Sequence, residues 1–207
     1  GVHARGRADR RDADDFLGEL TAANLESLGY SDVVAAGGAL ATTAGNGGVL
    51  TLTTDNTDDD TIQLSHELNW KASQALVFEF RFKIDDITNV GLFFGLTDAL
   101  QETTPNLPVG RSVATVTSTA SNCVGFAYDT DSTTDKFFGI GVKADVDTAQ
   151  IGDTIAPVNG TYMTLRLEIS AAGAATWYID GAQYGARTPL SQSFAMTSSF
   201  LSRARPT

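Results

Sequence analysis

The sequence predicts an all-β protein, a single antiparallel two-sheet sandwich of about ten to twelve strands. Three observations predict it. Apolar residues recur at a period of two in short runs, most clearly in ALVFEFRFKI at 75–84. Turn residues punctuate these runs roughly every 10–15 positions, with 20 Gly and five Pro in 207 residues. No regular alternation of strands with helix-length amphipathic segments appears, which argues against a parallel βαβ sheet. The length suits one sandwich domain.

Residues 1–15 are polar, charged and without periodicity, and read as a flexible basic arm. The stretch 19–29 (ELTAANLESLG) has the look of a short helix with Thr21 as N-cap, marginal without tertiary support. From residue 33 the pattern becomes strand–turn–strand, with Val49–Thr53 alternating and 62–69 a further strand. In 75–84, Phe78, Phe80, Phe82 and Ile84 share one face, and Glu79, Arg81 and Lys83 share the other, as a half-buried antiparallel strand requires. The segment 89–98 (NVGLFFGLTD) follows, and the polar, Pro-bearing 99–112 reads as a long loop. Segments 121–131 and 136–145 flank an acidic turn and read as a hairpin. In 161–170, Leu165, Leu167 and Ile169 alternate with Arg166 and Glu168. The run 174–181 closes on Asp180-Gly181, a tight-turn signal, and AQYGAR resumes the sheet. The sandwich is expected over 16–190, with 191–207 as a C-terminal tail or a weak last strand.

The net charge of −11 is unevenly spread: residues 1–11 carry four Arg against one Asp, so the body is more acidic than the total. Such a body repels phosphate backbones, which argues against a nucleic-acid partner. No apolar run approaches the ~20 residues of a membrane-spanning helix. No apolar stretch follows the first arginines either, so they do not read as a secretory signal. Arg5, Arg7, Arg10 and Arg11 are candidates for contact with an acidic neighbour, including another copy of this chain; Arg203 and Arg205 stand at the other end. Cys123 is the only cysteine, so no intrachain disulfide forms, and its apolar surroundings read as a packed thiol.

The succession VFEFRFKI, VGLFFGLTD, VGFAYDTD, TLRLEIS and TWYIDG resembles the concanavalin A-like, laminin-G-like jelly-roll family over about residues 45–190. The segment Asp14-Asp15-Phe16-Leu17-Gly18, leading into such a sandwich, resembles the start of accessory virion proteins of tailed bacteriophages. That resemblance implies a non-enzymatic structural protein of the virion: a capsid decoration or cement protein, or a fibre component. Its partners would be its own copies as a symmetric oligomer and the major capsid protein or another virion protein. One departure is the polar 191–207, where the family usually carries a further strand pairing back toward the N-terminus.

The sandwich family also includes sugar hydrolases, with two carboxylates on the concave face, and lectins that bind glycans there. The hydrolase strand Glu-x-Asp-x-x-Glu is absent; Glu79 and Glu168 stand on outward strand faces beside Arg81 and Arg166. The two His, His3 and His66, fall in no triad or zinc spacing. No catalytic residue and no cofactor are therefore expected. Asp129, Asp131 and Asp135 alternate like half of a calcium loop and are the candidate calcium ligands, although Thr134 stands where that loop needs Gly and Ile140 where it needs an acid. The acidic 55–60 reads as a solvated turn, as does the sequon Asn159-Gly160-Thr161. In 174–181, alternation sends Trp177 with Ile179 into the core and turns Tyr178 the other way, toward the concave sheet as a glycan platform. The alternative to the virion protein is thus a lectin-like, glycan-binding module of a phage fibre or receptor-binding protein.

Overall fold

Leu76–Phe82 forms the strand that its alternation demands, with Leu76, Phe78, Phe80 and Phe82 half-buried and Val77, Glu79 and Arg81 exposed. It is the fifth of sixteen strands in the described part of the chain. The structure is a computed structural model. It describes residues 30–34, 37–43, 49–55, 57, 60–71, 75–99, 106–148, 150–187 and 195–204. The arm with Arg5, Arg7, Arg10 and Arg11, the 19–29 segment and Arg205 lie outside the described residues.

In chain order the strands are β1 (Tyr30–Val34), β2 (Ala39–Thr43), β3 (Val49–Thr53), β4 (Thr61–Lys71), β5 (Leu76–Phe82) and β6 (Val90–Thr97). They continue with β7 (Val109–Ser112), β8 (Thr115–Ser118), β9 (Asn122–Asp129), β10 (Phe138–Lys143), β11 (Val146–Asp147) and β12 (Ile151–Gly152). The last are β13 (Met163–Ile169), β14 (Ala175–Ile179), β15 (Ala182–Arg187) and β16 (Ala195–Ala204). The larger sheet runs β1-β4-β16-β6-β9-β10-β11, with β12 also on β10; the smaller runs β15-β14-β13-β5. The hairpins β2-β3 and β7-β8 are separate two-stranded sheets. Every pairing between these strands is antiparallel, as the all-β jelly-roll sandwich requires.

The main core lies between the sheets. Phe94 and Phe126 of the larger sheet meet Leu165, Leu167 and Trp177 of the smaller, all buried. Phe80 and Phe82 each bring a ring to 4.6 Å from that of Phe94. Trp177 is 1% exposed and spans the gap, its indole N–H donating to the Gly125 carbonyl at 2.8 Å. Gly139 makes the room: a Cβ there would stand 3.0 Å from Trp177 Cε2 and 2.7 Å from Ile151 Cγ1.

Alternation along the larger sheet sends Phe93, Cys123, Ala127, Phe138, Ile140 and Val142 to its other face, which is also buried. Leu107, Val109 and Ala120, around the β7-β8 hairpin, cover it as a third layer. The expectation of a loop through 99–112 is thereby corrected for its last residues. β7 and β8 pair through a turn at Val113, which takes φ = 57° with no Gly in the turn to mark it. The Asp180-Gly181 turn forms as expected, both residues at positive φ (49° and 79°). Residues 195–204, expected as a tail or weak strand, form β16 between β4 and β6, so the sandwich continues beyond residue 190. Among the described residues no helix is long and apolar enough to cross a membrane.

Candidate functional site

Beyond the third layer, three segments meet at one rim of the larger sheet: the β7-β8 hairpin, the β9-β10 loop and the chain after β12. Asp129 ends β9 and is 1% exposed. Its two carboxylate oxygens accept the backbone N–H groups of Arg111 (2.9 Å) and Asp131 (3.1 Å), so a buried charge fixes where both segments run.

The Arg111 side chain, only 10% exposed, lies 5.3 Å from the Phe138 ring centre and extends its fork to Asp153 at 3.2 and 3.5 Å. The Thr134 hydroxyl donates to the same carboxylate at 2.8 Å. Arg111 Nε is buried with no partner, a donor the network leaves open.

Val113 completes the rim. A β-branched residue at positive φ is strained, and here the surroundings over-determine it. Its N–H donates to the Asp131 carbonyl at 2.7 Å, and its carbonyl accepts the Thr133 N–H at 2.9 Å and both the Ser132 and Thr133 hydroxyls. The Val113 side chain is 60% exposed, and Asp131, Thr133 and Asp135 are exposed beside it. Sequence reasoning reached Asp129, Asp131 and Asp135 of this rim. Arg111, Val113 and Asp153 carry no motif, and Arg111 lies in the stretch read as a loop.

The calcium candidates do not converge. Asp129 is turned inward onto backbone N–H groups while Asp131 and Asp135 face solvent. Among the described residues no group of three or more His, Cys, Asp or Glu side chains is arranged to hold a metal.

Tyr178 is on the face opposite Trp177, as alternation requires, and β14 places it on the outward face of the smaller sheet. Its hydroxyl donates to Glu168 Oε2 at 3.2 Å, and the Arg166 guanidinium sits 4.4 Å from its ring centre. Arg166 also pairs with Glu168. Glu79, opposite Arg166 in the register, and Arg81, 4.1 Å over the Tyr162 ring, continue this polar face.

No protein-family model matches the chain, and no curated protein matches it. Among solved structures, the metal-free carbohydrate recognition domain of Emp46p superposes with a TM-score of 0.59 at 10% identity, over 93% of this chain and 88% of that one. The globular domain of T. cruzi calreticulin gives 0.56 at 12% identity, over 85% and 78%. A protein of unknown function from Shewanella oneidensis MR-1 gives 0.55 at 14% identity, over 86% and 72%. At such identities the likeness establishes the jelly-roll fold.

Other chemistry-bearing residues are built into the scaffold. Cys123 is 1% exposed, and burial pushes its thiol up, away from the reactive thiolate. His66 packs edge-on against Tyr30 at 5.1 Å. Asn159 of the sequon accepts the Ile87 N–H at 3.0 Å, and Gly160 at φ = 67° donates to Ile84, so the motif works as a turn.

Proposed function

We propose that the protein is a non-enzymatic, glycan-binding module, and that sugar hydroxyls dock at the rim formed by Arg111, Val113, Asp131, Thr133, Thr134 and Asp153. The observation that carries this reading is the preset rim: a strained residue held by four hydrogen-bonding groups beside an ordered Arg–Asp–Thr network. Rigid polar groups whose ordering is complete before binding recognise vicinal hydroxyls at low entropic cost. The middle of the neighbouring sheet face cannot serve, because Phe93 and Phe138 are fully covered there. The kinship of fold with a domain named for carbohydrate recognition supports the same reading. Glu168 is committed to Arg166 and Tyr178, which supports a binding role over hydrolysis.

An array of oligosaccharides and polysaccharides tests this with the whole chain. Saturable binding is expected, lost by about tenfold or more in Asp153→Ala and Asp131→Ala and kept in Tyr178→Ala. Loss in Tyr178→Ala alone would move the site to the smaller sheet's outward face. No binding to any glycan would remove the reading.

The virion reading, a decoration protein on a capsid, draws its support from the smaller sheet, whose open edge suits assembly with its own copies. Its test is copy number: hundreds of chains per particle for decoration, a dozen or so for a fibre, none if the chain is not part of a virion.

A further inference from the structure

β5 is an edge strand of the smaller sheet, paired with β13 on one side and, among the described residues, with no strand on the other. Natural edges are normally blunted by bulges, prolines or a covering segment. β5 is regular over its seven residues and carries no Pro. Its inward rings, Phe78, Phe80 and Phe82, line up at 5.2 and 5.8 Å and stay half-buried, while Val77 on the outward face is 66% exposed.

We propose that a second copy of this chain covers the edge, β5 pairing antiparallel with β5 about a two-fold axis at Phe80, so that two four-stranded sheets become one of eight. The charges select that register. With Phe80 opposite the partner's Phe80, Glu79 faces the partner's Arg81 and Arg81 faces the partner's Glu79. Inside, Phe78 faces the partner's Phe82. At each end Val77 meets the stem of the partner's Lys83.

A slip of two residues in one direction sets Glu79 against the partner's Glu79, and in the other sets Arg81 against the partner's Arg81. A slip of one puts apolar residues opposite polar ones. Glu79 makes no ion pair within the described chain, and Arg81 only stacks on Tyr162, so both are available across the axis. The contact is isologous and closes at two copies. It is independent of the glycan reading, since neither the rim nor any sugar takes part.

Light scattering and sedimentation of the whole chain test the proposal. The wild type is expected at twice the protomer mass up to about 100 µM, dissociating on dilution and with added salt. Glu79→Arg and Arg81→Glu each place like charges opposite one another and should weaken the dimer about tenfold or more. Mixed in equal amounts, the two variants should form a heterodimer, because one presents two arginines where the other presents two glutamates. A wild type that stays at protomer mass, single variants that dimerise as tightly as wild type, or a mixture that stays monomeric would each overturn the proposal.

Circular dichroism establishes that each variant is folded. A second probe does not depend on charge: Val77→Cys with Lys83→Cys, both positions on the sheet surface, should oxidise to a closed covalent dimer, with Cys123 buried out of reach. No covalent dimer, or a ladder of higher oligomers, would also overturn it.

Discussion

The two edges of the smaller sheet are treated in opposite ways. At β15 the edge is bulged, with Tyr184 inserted where the register shifts against β14. Its ring turns inward, and its hydroxyl accepts the backbone N–H groups of Asp153 (2.8 Å) and Thr154 (3.1 Å) while donating to the Phe137 carbonyl. Ile151 lies where a side chain on Gly185 would be, and Gly152, at φ = 93°, lets the Tyr184 ring lie flat against the backbone. β12, paired to β10, thus straps the larger sheet to the smaller along that side. At β5, among the described residues, there is no bulge and no strap. Among the described residues, the chain closes one edge of this sheet with a bulge and a strap and leaves the other without either.

Opening the closed edge should cost the most stability. Tyr184→Ala removes a ring packed against the core and leaves the Asp153 and Thr154 N–H groups without their shared acceptor. A loss of about 3–5 kcal/mol is expected in urea unfolding. The proposed dimer does not use that edge, so the mass in light scattering should not change for the folded fraction. A stability within 1 kcal/mol of wild type would show that the strap does not hold the edge.

A second effect tests where the chain leaving β5 is tied down. The Tyr128 hydroxyl donates to the Ile87 carbonyl at 3.2 Å. Burial, with Asp135 and Asp129 reinforcing it, pushes that hydroxyl up to about 12. The folded state therefore holds its proton more tightly than the unfolded chain. The resulting stabilisation is complete below about pH 10 and falls as pH rises toward 12. Cys123 acts with the same sign and begins to lose its share from about pH 8.5, its thiol pushed up by burial and then by Asp98 and Asp147. Stability should thus decline above pH 9, and Tyr128→Phe should flatten the fall between pH 10 and 12. An unaltered slope in that variant would exclude Tyr128 as the group responsible.

How much of this was legible in the sequence differs between the same regions. β5 was legible in full, because an edge strand with one wet face shows a clean period of two. Trp177 was legible as core for the same reason. Tyr178 was legible only as lying opposite Trp177, since alternation separates the faces of a strand but does not say which sheet the strand joins. β16 was obscured by its serine-rich composition. It gains its hydrogen bonds from ladders on both sides, to β4 and β6, so a central strand of this kind can form without a strong apolar alternation. The β7-β8 hairpin was invisible because Val113 takes its positive φ from the hold of residues 131–133, not from a turn-forming residue. Arg111 and Asp153 meet across 42 positions, a distance that no motif spans.

A single charge on β5 separates the two edges at little cost to the protomer. Glu79→Gln removes one exposed charge that has no ion pair within the described chain; its neighbour on β13, Arg166, is already engaged by Glu168. In dilute solution, where the protomer stands alone, unfolding should change by no more than about 0.5 kcal/mol. As concentration rises, the wild-type Tm should climb, because association stabilises only the folded chain, and the variant's should climb less. Tyr184→Ala should show the reverse: a large loss at every concentration and the same concentration slope as wild type. If Glu79→Gln and wild type share one slope, charge across the two-fold axis contributes nothing to the association; if neither has a slope, the open edge stays empty over that range. Only a difference in slope confined to β5 variants fits an edge left open for a second copy.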